Sequence, residues 1–212
     1  MDRSGHWLDW HRDYADPSSS LSRRRRVVQD YLRRILAEFG PAGSEPIRLL
    51  SLCAGDGGDV LEVLASAPAV RALLVELDPE LAERARRADL SNVQVLTADA
   101  GRTVNYADWL PVDVLLACGV FGNIGEADVR RTVGALPALL RPGGRVIWTR
   151  GRGADDTDAS QPIRRLFADS GFVEVDFTAP DDARFRVGLH RLDRPPAALA
   201  ELPAQLFRFS ED

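Results

Sequence analysis

The sequence predicts an α/β protein: a Rossmann-like, doubly wound, seven-stranded and mostly parallel sheet, with an antiparallel terminal strand pair and helices on both faces. Three observations predict it. Near-continuous apolar runs alternate with segments of helical period, the pattern of strands buried on both faces. The first run breaks into a glycine turn, Cys53-Ala54-Gly55-Asp56-Gly57-Gly58-Asp59, and then resumes as a helix. The last two runs have no helical segment between them and must pair as a hairpin at one edge.

Taken in order, residues 21–39 carry apolar side chains at helical spacing and stop at Gly40-Pro41. Strands follow at 47–52, 71–77, 93–97, 112–117 and 145–149. Helices separate them at 60–66, 79–88 and 126–140, the last stopped by Arg141-Pro142-Gly143-Gly144. A helix at 161–170 ends at Gly171, strands at 172–177 and 185–192 close the sheet, and 206–209 reads as a short final strand. The organisation expected is an N-terminal helical cap, residues 1–44, on a domain spanning 45–212, together one globular body.

Composition bounds the function. With 212 residues, 45% of them hydrophobic, the chain can bury a sizeable core, and a net charge of -5 opposes nucleic-acid binding, which needs a basic face. No apolar run reaches the roughly 18 residues of a membrane span, and Met1 to Trp10 lacks a signal-peptide core, so a cytoplasmic protein without membrane association is expected. All 27 basic residues are arginine, which removes every lysine-based chemistry. Two cysteines, Cys53 and Cys118, make neither a disulfide framework nor a zinc site, and no metal is expected. The run Arg23 to Arg26 reads as a solvated helix face, with an anionic substrate or an acidic partner as the other reading.

In open parallel sheets ligands bind at the carboxyl ends of the strands. Glu76 ends the second strand, 19 positions after Gly57, near the spacing at which a carboxylate accepts from ribose hydroxyls. After the third strand, Asp99 beside the small Ala100 can accept from an adenine amino group, or cap a helix.

Five motifs occur in sequence: Leu50-Ser51-Leu52-Cys53-Ala54-Gly55-Asp56-Gly57, Val75-Glu76-Leu77-Asp78-Pro79, Thr97-Ala98-Asp99-Ala100, Val112-Asp113-Val114-Leu115-Leu116, and Leu139-Leu140-Arg141-Pro142-Gly143-Gly144-Arg145-Val146-Ile147. Over about residues 47 to 192 they resemble the class I S-adenosylmethionine-dependent methyltransferases, and the whole chain resembles small bacterial members of that family. The resemblance implies that Cys53, Ala54, Gly55, Asp56 and Gly57 hold the methionine part of S-adenosyl-L-methionine. It implies that Glu76 with Leu77 takes the ribose, Asp99 with Ala100 the adenine, and Cys118 with Gly119 the sulfonium side. S-adenosyl-L-homocysteine would be the product, and the acceptor a small molecule methylated on oxygen or nitrogen by in-line displacement. Two positions depart from the family: Ser51 stands where an acid is usual and Cys53 where glycine is. A cysteine at a helix start also reads as an activated thiolate, or simply as a small buried residue.

Methyl transfer needs a base only when the acceptor must lose a proton. His11, Tyr14 and Asn123 are the catalytic candidates. His11 and Tyr14 belong to an aromatic cluster with Trp7 and Trp10 ahead of the first helix, and Asn123 follows the fourth strand, where it orients a nucleophile or caps the next helix. Asp13, Tyr106 and His190 are secondary candidates, His190 reading mainly as a satisfied core histidine. Trp148 to Arg150 are expected along the acceptor pocket, with Arg150 suited to a carboxylate. Two other readings stand: a non-catalytic adenosyl-cofactor-binding protein on the same fold, and a nicotinamide oxidoreductase, whose third glycine would fall at Val60.

Overall fold

The structure, a computed structural model, describes residues 16, 19–39, 45–152, 158–195, 198 and 202–210. Its elements run α1 (Ser20–Phe39), β1 (Ile47–Leu52), α2 (Leu61–Leu64), β2 (Val70–Glu76), α3 (Pro79–Arg86), β3 (Val93–Thr97), β4 (Val112–Ala117), α4 (Glu126–Leu139), β5 (Leu140–Gly151), α5 (Ser160–Asp169), β6 (Phe172–Thr178) and β7 (Phe185–Leu192). The strands form one sheet in the order β3-β2-β1-β4-β5-β7-β6. β1 to β5 pair in parallel, and β7 runs antiparallel to both β5 and β6, as the apolar runs and the helix-free gap before β7 predict. Strand order reverses between β1 and β4, which opens a crevice at their carboxyl ends.

Each face of the sheet has its own core. Val28, Tyr31, Leu32 and Ile35 of α1 pack with Val63 and Leu64 of α2 and Ala85 of α3 on one side. Val129, Val133 and Leu136 of α4, Ile163 and Phe167 of α5, and the C-terminal Leu206 and Phe207 cover the other. Successive strand residues divide between the two, Leu49 to the first and Leu50 to the second, because side chains alternate across a pleated sheet. Each fully buried leucine contributes about 2 kcal/mol from the apolar surface it removes from water.

Four segments depart from expectation. The helix expected at 60–66 is a single turn, and the strand expected at 71–77 is Val70–Glu76, which leaves Leu77 62% exposed beyond its end. Residues 141–144 do not form a separating turn. The chain passes from α4 directly into β5, Leu140 pairs with Val112, and an irregularity resets the register so that Arg145 pairs with Val114. Proline and glycine end a helix but do not prevent extended backbone from joining a strand. Residues 206–209 form no strand. This segment crosses the strand ends instead of lying beside an edge, so it makes only isolated bridges, Arg102 with Gln205 and Ile124 with Phe209. Among the described residues no helix is long and apolar enough to cross a membrane.

Candidate cofactor and acceptor site

The buried apolar residues of β1 and β2 fix where the chain leaves the sheet, and the loop after β1 is tied to the end of β2. The Ala54 amide donates to the Val75 carbonyl at 3.0 Å, and the Gly55 amide to Glu76 Oε2 at 2.7 Å. Glu76 Oε1 accepts from the Asp78 amide at 2.9 Å, so both oxygens of this buried carboxylate are oriented by main chain. Each oxygen has a second lone pair, so the group can still accept from a ligand. Asp78 in turn caps α3, accepting from the amides of Glu80 and Leu81.

A cavity of about 260 Å³ opens above these strand ends. Ten of the eleven residues expected at the cofactor line it: Cys53, Ala54, Gly55, Asp56, Glu76, Leu77, Asp99, Ala100, Cys118 and Gly119. Gly57 does not. Its φ is +78°, and the space a side chain would need is filled by Leu61 and Leu74, so it serves the turn and the packing of α2.

The same cavity is lined by residues that sequence reasoning did not assign to it. Arg24, expected on a solvated face, is buried and paired with Asp59 at 3.0 and 3.1 Å. Gln29 donates to the Gly58 carbonyl at 3.0 Å, and the Arg25 guanidinium lies so close over Gly58 that a side chain there would overlap it. The helical stripe carried the signal: Arg24 stands one turn before Val28, hence on the buried face. Arg26, by contrast, is exposed.

Phe209 closes the mouth, 44% exposed. The C-terminal segment holds it there as a strap. The Leu206 amide donates to the Gly101 carbonyl at 2.7 Å, Thr132 Oγ1 donates to the Leu206 carbonyl at 3.1 Å, and the Ser210 amide to the Asn123 carbonyl at 3.0 Å. Nothing in the local pattern of 202–210 marks it as part of a site.

Of the catalytic candidates, His11 and Tyr14 lie outside the described residues, as do Trp7, Trp10 and Asp13. Asn123 lines the cavity, and its Nδ2 donates to the Gly119 carbonyl at 2.7 Å. It is not a helix cap, because the residue preceding α4 is Gly125 and no side chain caps that helix. Tyr106 is buried, its hydroxyl donating to the Ala100 carbonyl at 3.1 Å; burial first, then its neighbours Cys53 and Asp99, raise its pKa. His190 is stacked on Phe167 and accepts from Trp148 Nε1 at 3.1 Å. Burial pushes its pKa down to about 4 against the opposing pull of Glu174, so it is a neutral core group at pH 7. Trp148, expected along the acceptor pocket, belongs to the same aromatic core, because its position on β5 turns it away from the strand end.

Cys53 is not an activated thiolate. Burial first, then the negative charges of Glu76 and Asp99, raise its pKa, and the thiol stays protonated. Its φ of +53° is left-handed, the conformation a glycine at this position adopts freely.

A second cavity, about 420 Å³, adjoins the first and shares Arg24, Gly119 and Asn123 with it. Thr149, Arg150, Arg152 and Arg184 form much of the remainder. Thr149 Oγ1 accepts from the Gly119 amide at 2.9 Å, which fixes the wall between the two. Among the described residues no group of His, Cys, Asp and Glu gathers as a metal ion requires.

A Rossmann-like sheet ending in an antiparallel pair, with a carboxylate-rich cavity at the carboxyl ends of β1 to β3, places the protein among the open α/β folds that bind ligands where the strand order reverses. Residues 22–186 match the family model described as a methyltransferase domain, and the chain belongs to that family. Among curated proteins, no sequence match is found. Similar solved structures include magnesium protoporphyrin IX methyltransferase from Synechocystis PCC 6803 with bound S-adenosylmethionine, 13% identical with a TM-score of 0.64 over 88% of this chain and 90% of that one. Another is 1,6-didemethyltoxoflavin N1-methyltransferase from Burkholderia thailandensis with its namesake compound and S-adenosylhomocysteine, 18% identical, TM-score 0.63, over 90% and 85%. The cyclase SpnF is also similar, 16% identical, TM-score 0.57, over 79% and 82%. At these identities the likeness is one of fold.

Proposed function

We propose that the protein binds S-adenosyl-L-methionine in the first cavity and transfers its methyl group to an oxygen or nitrogen of a small-molecule acceptor in the second, leaving S-adenosyl-L-homocysteine. The observation carrying this reading is the charge of the first cavity: Asp56, Asp59, Glu76 and Asp99 face it against Arg24 and Arg25. That excess of carboxylates suits a cofactor with positive sulfonium and ammonium groups and repels the pyrophosphate of a nicotinamide dinucleotide. When bound, the sulfonium cofactor supplies a methyl group already activated for displacement.

The donor set fits such a group. In this reading Glu76 accepts from ribose hydroxyls and Asp99 from the adenine amino group, while Leu77, Ala100 and Phe209 offer apolar contact to the base. Arg25 and the amides of the glycine loop face the methionine end. Gly119 stands where the two cavities meet, with Cys118 beside it on the wall of the first. Asn123, anchored to Gly119, positions the acceptor, and His11 and Tyr14 are proposed to take its proton where it has one to lose. Exclusion of water and alignment supply the rest of the rate.

A second reading, adenosyl-cofactor binding without methyl transfer, is favoured by Ser51, which is buried where the family has an acid, and by the use of this fold in the cyclase SpnF. Calorimetry with S-adenosylmethionine, S-adenosylhomocysteine and NAD tests both. Binding of either adenosyl ligand but not NAD is expected, with S-adenosylhomocysteine accumulating in the presence of a panel of small hydroxyl and amine acceptors. If neither adenosyl ligand binds, both readings fall; binding without turnover across the panel favours the second.

A further inference from the structure

Within the reading just given, we infer that the acceptor carries a carboxylate, and that Arg150, at the end of β5, is the residue that recognises it. The chain as a whole is acidic, at -5, yet the described walls of the second cavity carry Arg24, Arg150, Arg152 and Arg184 and no Asp or Glu. Arg24 is already neutralised by Asp59. Arg152 and Arg184 stand on the chain just beyond β5 and just before β7, on the walls of the same cavity.

Arg150 differs from the others. Thr149, its neighbour in β5, bonds the Gly119 amide in the wall shared with the first cavity, so apart from Arg24, which is already paired, Arg150 is the arginine nearest in sequence to the junction. Its Nη1 donates to the Phe121 carbonyl, and no ion pair engages it among the described residues. A guanidinium has five N–H donors in a fixed plane, so one tether to main chain orients the fork and leaves donors for a planar, bidentate anion. Its backbone pairs with Arg186 of β7, and β4 holds the same strand two residues earlier, at Trp148, so the group is mounted on a rigid element. With no lysine in the chain, arginine is also the only permanent cation available to the site.

The test uses the full chain saturated with S-adenosylhomocysteine, whose affinity is measured first by calorimetry. Benzoate and benzamide, phenylacetate and phenylacetamide, and octanoate and octanamide are then compared as matched pairs by ligand-observed NMR. Acids should bind about tenfold or more tighter than their amides, the worth of one charge-assisted hydrogen bond. Arg150→Gln should erase that preference and Arg150→Lys restore part of it, both keeping S-adenosylhomocysteine affinity within about twofold, because Arg150 lines only the second cavity. Should Arg150→Gln fail to fold, Arg150→Lys must still narrow the acid preference, because an ammonium does not present the planar bidentate fork. Equal binding of acids and amides, no binding of any acid, or a preference that survives Arg150→Gln overturns the inference. Failure to bind S-adenosylhomocysteine at the first step instead overturns the cofactor reading on which it rests.

Discussion

The two cavities share a wall but are built in opposite ways. In the first, four carboxylates outnumber two guanidiniums, and the decisive groups come from short segments directly after β1, β2 and β3. In the second, no described carboxylate lines the walls, and the four guanidiniums, Arg24 among them already paired with Asp59, are drawn from α1, the end of β5 and the segment before β7. The difference teaches that one sheet supports two kinds of wall by changing how they are sourced: the acidic cavity by local turns directly after strands, the basic one by long-range assembly of distant segments.

The most damaging change to the first cavity is Glu76→Ala. It removes the acceptor proposed for the ribose and strands the amides of Gly55 and Asp78. Two charge-assisted hydrogen bonds are worth about 4 kcal/mol together, so affinity for S-adenosylhomocysteine should fall by several hundredfold or more in calorimetry. Acid recognition in the second cavity should be intact in whatever cofactor complex can still be saturated. An affinity within tenfold of wild type would show that the two cavities are not divided as described.

Behind the second cavity the expected effect is on stability. His190 supports Trp148, which precedes Thr149 and Arg150 on β5. Its folded-state pKa of about 4 lies below that of an exposed imidazole, so between those values the unfolded chain binds a proton that the folded chain refuses. The stabilisation is therefore complete above about pH 6.5 and drains as the pH falls to about 4, by roughly 3 kcal/mol in all. His190→Gln keeps an acceptor for the indole and does not titrate, so its urea midpoint should change far less between pH 7 and pH 5 than that of the wild type. An unchanged pH slope in the variant would remove His190 from this role.

Phe209 tests whether the C-terminal strap belongs to the first cavity. At 44% exposure its removal costs little folding energy, whereas loss of an aromatic contact to the cofactor is worth about 1 kcal/mol. Phe209→Ala should weaken S-adenosylhomocysteine by about fivefold with an unchanged melting temperature, and Phe209→Tyr should restore it. If affinity is unmoved, the strap closes the fold and not the site.

How much of this was legible in the sequence follows the same division. The sheet, its order of elements and the terminal pair were readable because hydrophobic periodicity reports burial directly. Gly55, Glu76 and Asp99 were readable because a strand end followed by a turn has few solutions. Arg24 was misread because charge was weighed before its place one turn from Val28, and Phe209 was invisible because its position depends on hydrogen bonds to Gly101, Thr132 and Asn123, far away in the chain. Leu140 to Gly144 show a local signal completed by tertiary pairing: proline and glycine stop the helix as expected, and the neighbouring strand draws the residues after it into the sheet.

The smallest expected effect sharpens the contrast in backbone construction. Cys53 is the one non-glycine residue of the first cavity at positive φ among those described, and the described walls of the second have none. A left-handed L-residue costs about 1–2 kcal/mol, which glycine would relieve. Against that gain, Cys53→Gly gives up the burial of a thiol and adds chain entropy to the unfolded state, each about 1 kcal/mol. The balance should leave stability within about 0.5 kcal/mol of wild type. At Cys118, which is buried with ordinary backbone angles, the same substitution has the costs and no relief, and should lose more than 1 kcal/mol. Equal losses at the two cysteines in urea unfolding would mean that the turn after β1 carries no strain, and that cysteine is as much at ease there as the glycine usual in the family.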